Sequence, residues 1–266
     1  MIVLKMFGQM AKSVNDKNSV AGAKQSSGKA ETSGPSRQDI FRMFDRIASR
    51  YDFLNRFLSF GRDVYWRRRM VQFLPSKSNL DVLDLATGTA DVLLTLCRKS
   101  DCIANGVGVD MAGRMLQGAL VKVVSCRMQK KLAFVRADAS RLPFASASFD
   151  VVTIAFGIRN FISVQETLQE IHRVLATDGR LLILEFSLPS NRLIRCCYLF
   201  YFRHVLPLLG SLISGDLHAY RYLNRTVETF PYGENFCNVM RQAGFTKVRT
   251  WPYTFGVAAI YQGDKS

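Results

Sequence analysis

The stretch Asp84-Leu85-Ala86-Thr87-Gly88-Thr89-Ala90-Asp91 decides the fold, because it joins a short apolar strand to an amphipathic helix. The hydrophobic pattern predicts the strand at residues 82–85 and the helix near residues 92–98. Gly88 permits a tight turn and a close approach of the backbone to a ligand, and the free amides of the helix N-terminus point to the same place. Such a turn is by itself more often a plain connection, so its function depends on the surrounding sequence.

Strands and helices alternate on the C-terminal side of this turn. The predicted order is a strand at 106–109, a helix at 112–125, strands at 133–136 and 149–155, a helix at 164–175 and a strand at 180–186. This alternation is typical of a parallel sheet with helices on both faces. Two final strands, at 246–252 and 257–262, are separated only by a turn and must pair antiparallel. We therefore expect a Rossmann-like α/β fold with a mostly parallel, seven-stranded sheet and a C-terminal antiparallel hairpin.

Acidic residues end three successive strands of the predicted sheet. Asp110 ends the second strand 22 residues after Gly88, where a carboxylate would accept hydrogen bonds from both hydroxyl groups of a ribose. Asp138 ends the third strand and is placed to accept a hydrogen bond from an adenine amino group, with Ala139 leaving room for the ring. Aspartate is also favoured at helix N-caps and in turns. Three acids at three strand ends, counting Asp84, nevertheless favour a nucleoside site.

Charge separates the candidate nucleoside cofactors. A dinucleotide needs a glycine-rich turn for its pyrophosphate, and Ala86 and Ala90 stand where those glycines would be wanted. S-adenosylmethionine carries no phosphate, and its ammonium group favours a nearby acid such as Asp84. The sequence therefore favours S-adenosylmethionine as the cofactor.

Length and charge set further bounds on the function. The chain has 266 residues, 48% of them hydrophobic, and a formal net charge of +15. This length fits one folded domain with an appendage. The positive charge suits nucleic acid or anionic lipid headgroups, and a solvated basic surface explains it equally well. Arg67-Arg68-Arg69 follows an aromatic-rich helix, while the other basic residues are spread over helix faces and the N-terminal tail.

Other classes of protein are disfavoured by what the sequence does not contain. Its six cysteines and three histidines show no metal-ligand spacing, so we expect neither a metal site nor a disulfide framework. Arg203 and His204 interrupt the most hydrophobic region, so no apolar run is long enough to span a membrane. The N-terminus does not resemble a secretory signal. We expect a cytoplasmic protein.

Eight short motifs are spread over residues 41–263. They are Phe44-Asp45-Arg46-Ile47-Ala48-Ser49-Arg50-Tyr51-Asp52, Asp84-Leu85-Ala86-Thr87-Gly88-Thr89, Arg141-Leu142-Pro143-Phe144, Phe156-Gly157-Ile158-Arg159-Asn160, Leu184-Glu185-Phe186-Ser187, His204-Val205-Leu206-Pro207, Tyr220-Arg221-Tyr222-Leu223 and Gly256-Val257-Ala258-Ala259. Together they resemble the C-methyltransferases of menaquinone and ubiquinone biosynthesis. The glycine turn is generic to methyltransferases, whereas Phe-Gly-Ile-Arg-Asn at the fourth strand end is specific to this family.

The resemblance implies a class I S-adenosylmethionine-dependent methyltransferase. In this interpretation residues 38–266 form the methyltransferase domain, with N-terminal helices at 38–78 and a helical insertion over the acceptor at 188–235. Residues 1–37 are predicted to be a disordered basic tail, because residues 11–37 contain hardly any large apolar groups that could offset the entropy of ordering.

The motifs and the resemblance together predict a cofactor site at the carboxyl ends of the strands. The family usually has Asn at the position of Asp138, a difference that an adenine amino group should tolerate. Many members have Ser at the position of Ala155, which cannot form a hydrogen bond here. The predicted cofactor-binding residues are Asp84, Gly88, Thr89, Asp110, Met111, Asp138, Ala139 and Ala155.

The implied reaction transfers a methyl group to a ring carbon of a reduced, prenylated quinone. A ring carbon is a poor nucleophile unless a quinol hydroxyl loses its proton. Arg159 cannot take that proton at neutral pH, but it can stabilise the phenolate and orient a water molecule that does. Asn160 is expected to orient the quinol oxygen, and His204 is a second candidate base. Tyr51 and Tyr220 are expected to line the acceptor pocket.

Two other classes remain as alternatives. An RNA methyltransferase would suit the charge, but it commonly carries Asn/Asp-Pro-Pro-Tyr/Phe at the fourth strand end, where this chain has Ala155-Phe156-Gly157-Ile158. A non-catalytic scaffold would not need Asp84, Gly88 and Asp110 together. We therefore expect a prenylated quinol partner and no nucleic acid, with demethylmenaquinol favoured over a benzoquinol.

The apolar helices with basic flanks predict peripheral contact with an anionic membrane, at its inner face. A homo-oligomer is left open.

Overall fold

The computed structural model describes residues 51–208 and 217–266, together with positions 42, 43, 45, 46 and 48. Within these residues seven strands form one sheet in the order β3-β2-β1-β4-β5-β7-β6. Strands β1 to β5 pair in parallel, and β7 runs antiparallel between β5 and β6. The predicted sheet and its C-terminal hairpin are confirmed. The strands are β1 (Leu80–Leu85), β2 (Ile103–Asp110), β3 (Leu132–Arg136), β4 (Phe149–Ala155), β5 (Leu175–Phe186), β6 (Thr246–Tyr253) and β7 (Ala258–Asp264).

Helices border the sheet on both sides. The α-helices are α1 (Tyr51–Leu58), α2 (Arg62–Met70), α3 (Asp91–Lys99), α4 (Gly113–Ser125), α5 (Val164–Val174), α6 (Arg192–Phe200), α7 (Leu217–Thr229) and α8 (Glu234–Gln242). Short 3-10 helices lie at Val71–Phe73, Ile158–Asn160 and Thr254–Gly256, and a π-helix at Tyr201–Val205. Among the residues described, no helix has both the length and the apolar composition needed to cross a bilayer.

The predicted elements agree with the observed ones except at two places. β5 begins at Leu175 rather than at residue 180, because Leu175 pairs with Phe149 and the predicted turn is accommodated as a bulge before Arg180. The second difference lies in the insertion predicted as helical at 188–235. It is divided into α6, the π-helix and α7, and α7 continues to Thr229. Residues 209–216 and the predicted tail at 1–37 lie outside the described residues.

The apolar core is divided by the sheet into two layers. Along β1, Leu83 and Leu85 belong to one buried cluster and Leu80 and Val82 to the other, as expected when successive side chains of a strand point to opposite faces. A third, smaller cluster lies beneath the insertion and consists of Leu188, Phe202, Leu206 and Val227. This cluster attaches the insertion to the end of β5.

Helix α2 packs over the ends of β4 and β5. Its Trp66 is buried, and the indole N–H donates a hydrogen bond to Thr254 Oγ1 at 2.8 Å. The indole ring also contacts the rings of Phe156 and Phe186, which follow β4 and end β5. These contacts hold α2 at the edge of the sheet where a parallel sheet places its ligand site.

Candidate active site

The turn after β1 is organised around a buried carboxylate. Asp84 is 1% exposed and accepts hydrogen bonds from the hydroxyl groups of Thr87 and Thr153, each at 2.6 Å. Burial raises the pKa of Asp84 to about 7, although both hydroxyl groups and the nearby Arg67 favour the ionised form. Because Thr87 belongs to the turn and Thr153 to β4, Asp84 fixes the turn against the neighbouring strand.

This position differs from the role that the sequence predicted for Asp84. Direct contact with the ammonium group of a ligand was expected, but Asp84 lies beneath the turn and is not among the residues that line the cavity. Both of its oxygens already accept a hydroxyl group. The structure therefore assigns Asp84 to the shape of the turn, and any action on a ligand would be through the electrostatic field.

The backbone of the turn is left-handed at three positions. Ala86, Gly88 and Ala90 have φ angles of 50°, 56° and 66°. Only Gly adopts such angles without cost, so Ala86 and Ala90 occupy positions that suit glycine. Gly157, after β4, comes so close to Ala86 that a Cβ atom at 157 would lie 2.5 Å from the Ala86 Cβ. The two loops that enclose the site therefore touch at Ala86 and Gly157.

Asp110 holds the same turn from β2. One carboxylate oxygen accepts a hydrogen bond from the backbone N–H of Gly88 at 2.9 Å, and the other from Ala112 at 2.8 Å. Burial raises the pKa of Asp110, since it outweighs the backbone N–H groups that favour the ionised carboxylate. Asp110 also lines the cavity, as expected for a residue that would accept the ribose hydroxyl groups.

Asp138 and Ala139 lie next to it, after β3. Asp138 Oδ1 accepts hydrogen bonds from the backbone N–H and the hydroxyl of Ser140, at 3.0 and 2.9 Å. Ala139 is buried and presents only a methyl group. Both residues line the cavity, with Met111, Gly88 and Ala155. Six of the eight residues predicted to bind the cofactor therefore line the cavity, whereas Asp84 lies beneath the turn and Thr89 does not face the cavity.

Thr89 faces the N-terminal helix instead of the cavity. Its hydroxyl donates a hydrogen bond to Asp52 at 2.6 Å and accepts one from Lys122 at 2.8 Å. Lys122 also forms ion pairs with Asp52 and Asp91. Thr89 therefore connects α1, α3 and α4, and its direct contact with a cofactor stays a prediction.

The cavity is acidic although the protein is strongly basic. Its lining residues belong to the described part of the chain, and the charged ones are all acids: Asp110, Asp138 and Glu166. A cavity with three carboxyl groups and no basic side chain repels phosphate and attracts a cation. This lining fits S-adenosylmethionine, which carries a sulfonium and an ammonium group and no phosphate. The other residues that line the cavity are small or apolar, apart from the polar residues Asn160, Ser140, Ser163 and Thr167.

A buried ion pair lies beside this cavity. Arg159, in the 3-10 helix after β4, places one guanidinium nitrogen (Nη1) 2.6 Å from Glu185 Oε1 and 2.6 Å from the carbonyl oxygen of Phe156. The two side chains are 6% and 1% exposed. Arg159 also lies over the ring of Phe186, at 5.4 Å. It points away from the cofactor cavity and toward the insertion, whereas the adjacent Asn160 lines the cavity.

The remaining predicted acceptor residues are less closely connected to this ion pair. His204 is exposed in the π-helix, and its ring lies 5.2 Å from that of Phe200. This exposure does not favour the role of a base in a water-excluded site. Tyr51 and Tyr220 belong to α1 and α7, but their side chains lie outside what the structure describes. Their contact with the acceptor stays a prediction.

Glu185 was not among the residues predicted from the sequence. It lies in the apolar run Leu181-Leu182-Ile183-Leu184-Glu185-Phe186 of a central strand. A carboxylate inside such a strand is almost never fully buried without a charged partner. That rule, applied to the sequence, predicts a buried cation close to Glu185, and Arg159 is this cation.

The fold, the turn after β1 and the acid-lined cavity define a class I S-adenosylmethionine-dependent methyltransferase. The family model described as the ubiE/COQ5 methyltransferase family matches residues 32–265. The chain belongs to this family, as its motifs indicated.

Individual relatives agree with this assignment. A protein of Thermus thermophilus named demethylmenaquinone methyltransferase is 48% identical over 223 residues, which are 84% of this chain and 100% of the relative. A protein of Geotalea uraniireducens named ubiquinone/menaquinone biosynthesis C-methyltransferase UbiE is 42% identical over 86% of this chain and 97% of its own length. The crystal structure of a SAM-dependent methyltransferase from Thermotoga maritima has a TM-score of 0.60 over 85% of this chain and 100% of that one. At 17% identity this last likeness supports the fold alone.

Proposed function

We propose that this methyltransferase transfers the methyl group of S-adenosylmethionine to a ring carbon of a reduced, prenylated quinone. Demethylmenaquinol is the favoured acceptor, because the names of the relatives in Thermus thermophilus and Thermotoga maritima refer to it. The equivalent benzoquinol of ubiquinone biosynthesis is the second candidate, since the Geotalea relative is named for both pathways.

The observation that carries this proposal is a reversal of charge across the site. The charged side chains that line the cavity are all acidic, whereas the loop that closes the cavity carries the buried side chain of Arg159. A cationic methyl donor fits the acidic side, and a phenolate fits the side with the arginine. Asn160 belongs to both sides, because it lines the cavity and is adjacent to Arg159 in the chain.

The residues of the chain act mainly by placing the two reactants and excluding water. S-adenosylmethionine, when bound, supplies an electrophilic methyl group. Asp110 and Asp138 would hold the adenosyl part, and the small residues Ala86 and Gly157 let the two loops approach each other closely. Arg159 would stabilise the developing phenolate, which pushes electrons into the ring carbon that attacks the methyl group. No covalent intermediate with the protein is required.

Peripheral membrane contact is part of the same proposal, because the acceptor has a prenyl tail. Exposed aromatic side chains occur on α1 and on α6, close to the acceptor side, and the Phe60 ring lies 5.8 Å from Tyr201 in the insertion. Together with the net charge of +15, this surface suits an anionic leaflet. The exposed residues are Phe53, Phe57, Phe60, Leu193 and Phe200.

The acceptor is tested by incubating the purified protein with methyl-labelled S-adenosylmethionine and one acceptor at a time. The acceptors are a prenylated naphthoquinol, a prenylated benzoquinol, the two corresponding oxidised quinones, and RNA. We expect label in the reduced naphthoquinol and none in RNA. Label in RNA without label in any quinol would contradict the proposal, and equal labelling of oxidised acceptors would contradict the phenolate.

Vesicles test the membrane part separately. We expect the protein to sediment with vesicles that contain anionic lipid and not with neutral vesicles, and Phe200→Ser to weaken this binding. Leu120→Ser is the matched control, because Leu120 is exposed on α4 and far along the chain from the insertion. Equal binding of both variants would contradict the assignment of this surface.

A further inference from the structure

A cluster of buried polar side chains lies beneath the insertion, beside the cofactor cavity. We call it the Glu185 cluster and define it as Glu185, Arg159, Tyr198 and Asn224. Its members come from β5, the 3-10 helix after β4, α6 and α7, and α7, which carries Asn224, packs against that 3-10 helix. Arg159 and Glu185 form an ion pair, and the charges of both affect the pKa of the Tyr198 hydroxyl group. Aromatic and aliphatic side chains of the insertion surround them.

Among the described residues only Oε1 of Glu185 has hydrogen-bond partners, and the backbone N–H of Arg159 also favours the ionised carboxylate. Oε1 accepts hydrogen bonds from Arg159 Nη1 at 2.6 Å and from the backbone N–H of Phe186 at 2.8 Å. Oε2 is buried and has no hydrogen-bond partner among the described residues. A carboxylate oxygen that is buried in this way is costly, and such groups in folded proteins generally have a partner or a function.

Each of the other three members of the cluster also has a buried polar atom for which the described residues provide no hydrogen-bond partner. Arg159 Nε, the Tyr198 hydroxyl and Asn224 Oδ1 are buried without a hydrogen-bond partner in the part of the chain described. Asn160 Oδ1, at the border with the cofactor cavity, is a further example. Donors and acceptors are both represented. A quinol hydroxyl group, which donates one hydrogen bond and accepts up to two, would satisfy one of these acceptors and one or two of the donors.

The proposed reaction needs a group that can take the quinol proton, and chemistry leaves one candidate in this cluster. Arg159 stays protonated at any relevant pH, and the amide of Asn224 is no base. Burial raises the pKa of Tyr198, so its hydroxyl keeps its proton and acts as a donor. His204 is exposed at the other end of the π-helix. Glu185 is the member that is a base in its ordinary ionised form.

We propose that Glu185 Oε2 accepts the proton of the quinol hydroxyl while Arg159 stays bound to Oε1 and stabilises the phenolate. This inference rests on the proposed function. The quinol O–H bond breaks and its proton passes to Glu185. The ring carbon then bonds to the methyl carbon as the methyl–sulfur bond breaks. The ring C–H proton leaves to water, and Glu185 returns its proton to the oxygen. One quinol and one S-adenosylmethionine cation give one methylated quinol, one S-adenosylhomocysteine and one proton.

The surroundings of Glu185 determine how its action depends on pH. The charged and titratable groups that influence it are Arg159 from the 3-10 helix, Tyr198 from α6 and Tyr261 from β7. Burial raises the pKa of Glu185 more than Arg159 lowers it. The ionised form, which is the base, therefore predominates only above this raised pKa. Turnover should fall as the pH decreases through it.

The test uses Glu185→Gln, which keeps the size and an acceptor for Arg159 but cannot take a proton. We expect kcat on the reduced quinol to fall about 100-fold or more. The affinity for S-adenosylmethionine should stay close to the parent value, whereas the thermal midpoint should fall because the buried Arg159 loses its charged partner. The fall in kcat through the pKa of Glu185 should disappear, and the kcat of the variant should rise only at the higher pH at which the bound quinol itself ionises. Glu185→Asp should keep the acidic limb with intermediate kcat.

The matched control is Glu228→Gln, which removes the carboxylate of the exposed Glu228–Arg203 ion pair in the same insertion. We expect its kcat and pH profile to equal those of the parent. If Glu185→Gln folds and loses kcat but keeps the acidic limb, Glu185 only positions Arg159 and the inference is overturned. If it keeps kcat, the inference is overturned as well. A parent enzyme that labels no quinol contradicts the proposed function itself, so the two failures are distinguishable.

Discussion

The cofactor side and the acceptor side of the site are built by different means. The cofactor side consists of backbone amides, small residues and carboxylates at the ends of neighbouring strands, with Asp110 binding the turn directly through Gly88 N–H. The acceptor side consists of the Arg159–Glu185 ion pair, which is buried under α6 and α7. One side is open and acidic, and the other is closed and carries a cation.

This difference shows how one basic protein can recognise two oppositely charged reactants. The carboxylate of Asp110 accepts hydrogen bonds from backbone N–H groups, which offset part of the cost of burying its charge. A buried arginine needs a partner, and Glu185 supplies it. The net charge of +15 thus says little about the site, since the cavity itself is lined by acids.

The largest expected effect is on the acceptor side. Arg159→Lys keeps a positive charge beside Glu185 but loses the planar fork, so we expect kcat to fall about 1000-fold with the affinity for S-adenosylmethionine unchanged. Arg159→Ala should also lose turnover while retaining cofactor binding, but it leaves Glu185 without a partner and lowers stability by about 3 kcal/mol. Steady-state kinetics, calorimetric titration and thermal unfolding measure these quantities.

Arg203→Lys is the control for that variant, because Arg203 forms an exposed ion pair with Glu228 in the insertion. It should leave kcat within about twofold of the parent. If Arg159→Lys weakened cofactor binding and left kcat intact, Arg159 would belong to the cofactor side and the comparison would fail.

The next effect is on the cofactor side. Asp110→Asn removes the charge that would bind the ribose hydroxyl groups, so we expect the Kd for S-adenosylmethionine to rise about 50-fold. The measurement is calorimetric titration. Asp101→Asn is the control, since Asp101 is exposed in the turn before β2. Equal affinity of the two variants would show that Asp110 only shapes the turn.

A smaller effect is expected where the two sides meet. The Cβ atom introduced by Gly157→Ala would lie 2.5 Å from the Ala86 Cβ, so the loops must separate. We expect kcat to fall about tenfold, because small displacements of the reactants are costly. Ala86→Gly in the same chain removes the contact and suits the left-handed backbone there, so the double variant should regain most of the activity. A double variant no better than Gly157→Ala would contradict this geometry.

The smallest effect concerns stability. The pKa of Asp84 is raised to about 7 in the folded state, so between its unfolded value of 3.8 and about 7 the folded protein holds a proton that the unfolded chain has lost. Stability from this group therefore decreases as the pH rises through that interval. Asp84→Asn cannot ionise, and its Tm should exceed that of the parent by about 3 °C at pH 8. The difference should vanish near the lower end of the interval, and a difference that persisted there would contradict the assignment.

The sequence predicted the cofactor side well because that side depends on local patterns. The bounds of β4 agree with the predicted strand at 149–155, and Asp110 and Asp138 both line the cavity. A strand end, a turn and a helix start are neighbours in the chain, so their residues can be read together. The contacts of Asp84 and Thr89 could not be predicted in this way, because their partners Thr153 and Asp52 are distant in the chain and come close only in the folded protein.

The acceptor side was less predictable for the same reason. Arg159 was predicted from a motif, but its partner Glu185 lies 26 residues away, and Tyr198 and Asn224 lie on two separate helices of the insertion. His204 was chosen as a base from its residue type, and only the structure reveals that it is exposed. Burial is a property of tertiary packing, which determines whether an ionisable side chain in a motif is usable as a base.

The position of the transferred methyl group tests most directly whether a phenolate binds on the side of the site that carries Arg159. The enzyme is supplied with S-adenosylmethionine that carries a 13C methyl group and with the reduced prenylated naphthoquinol, and the product is identified by NMR. A phenolate held by Arg159 pushes electrons into the ring, so we predict a methyl group on a ring carbon and loss of that carbon's proton. A methyl group on the quinol oxygen, or on the ring of an oxidised acceptor, would contradict the account.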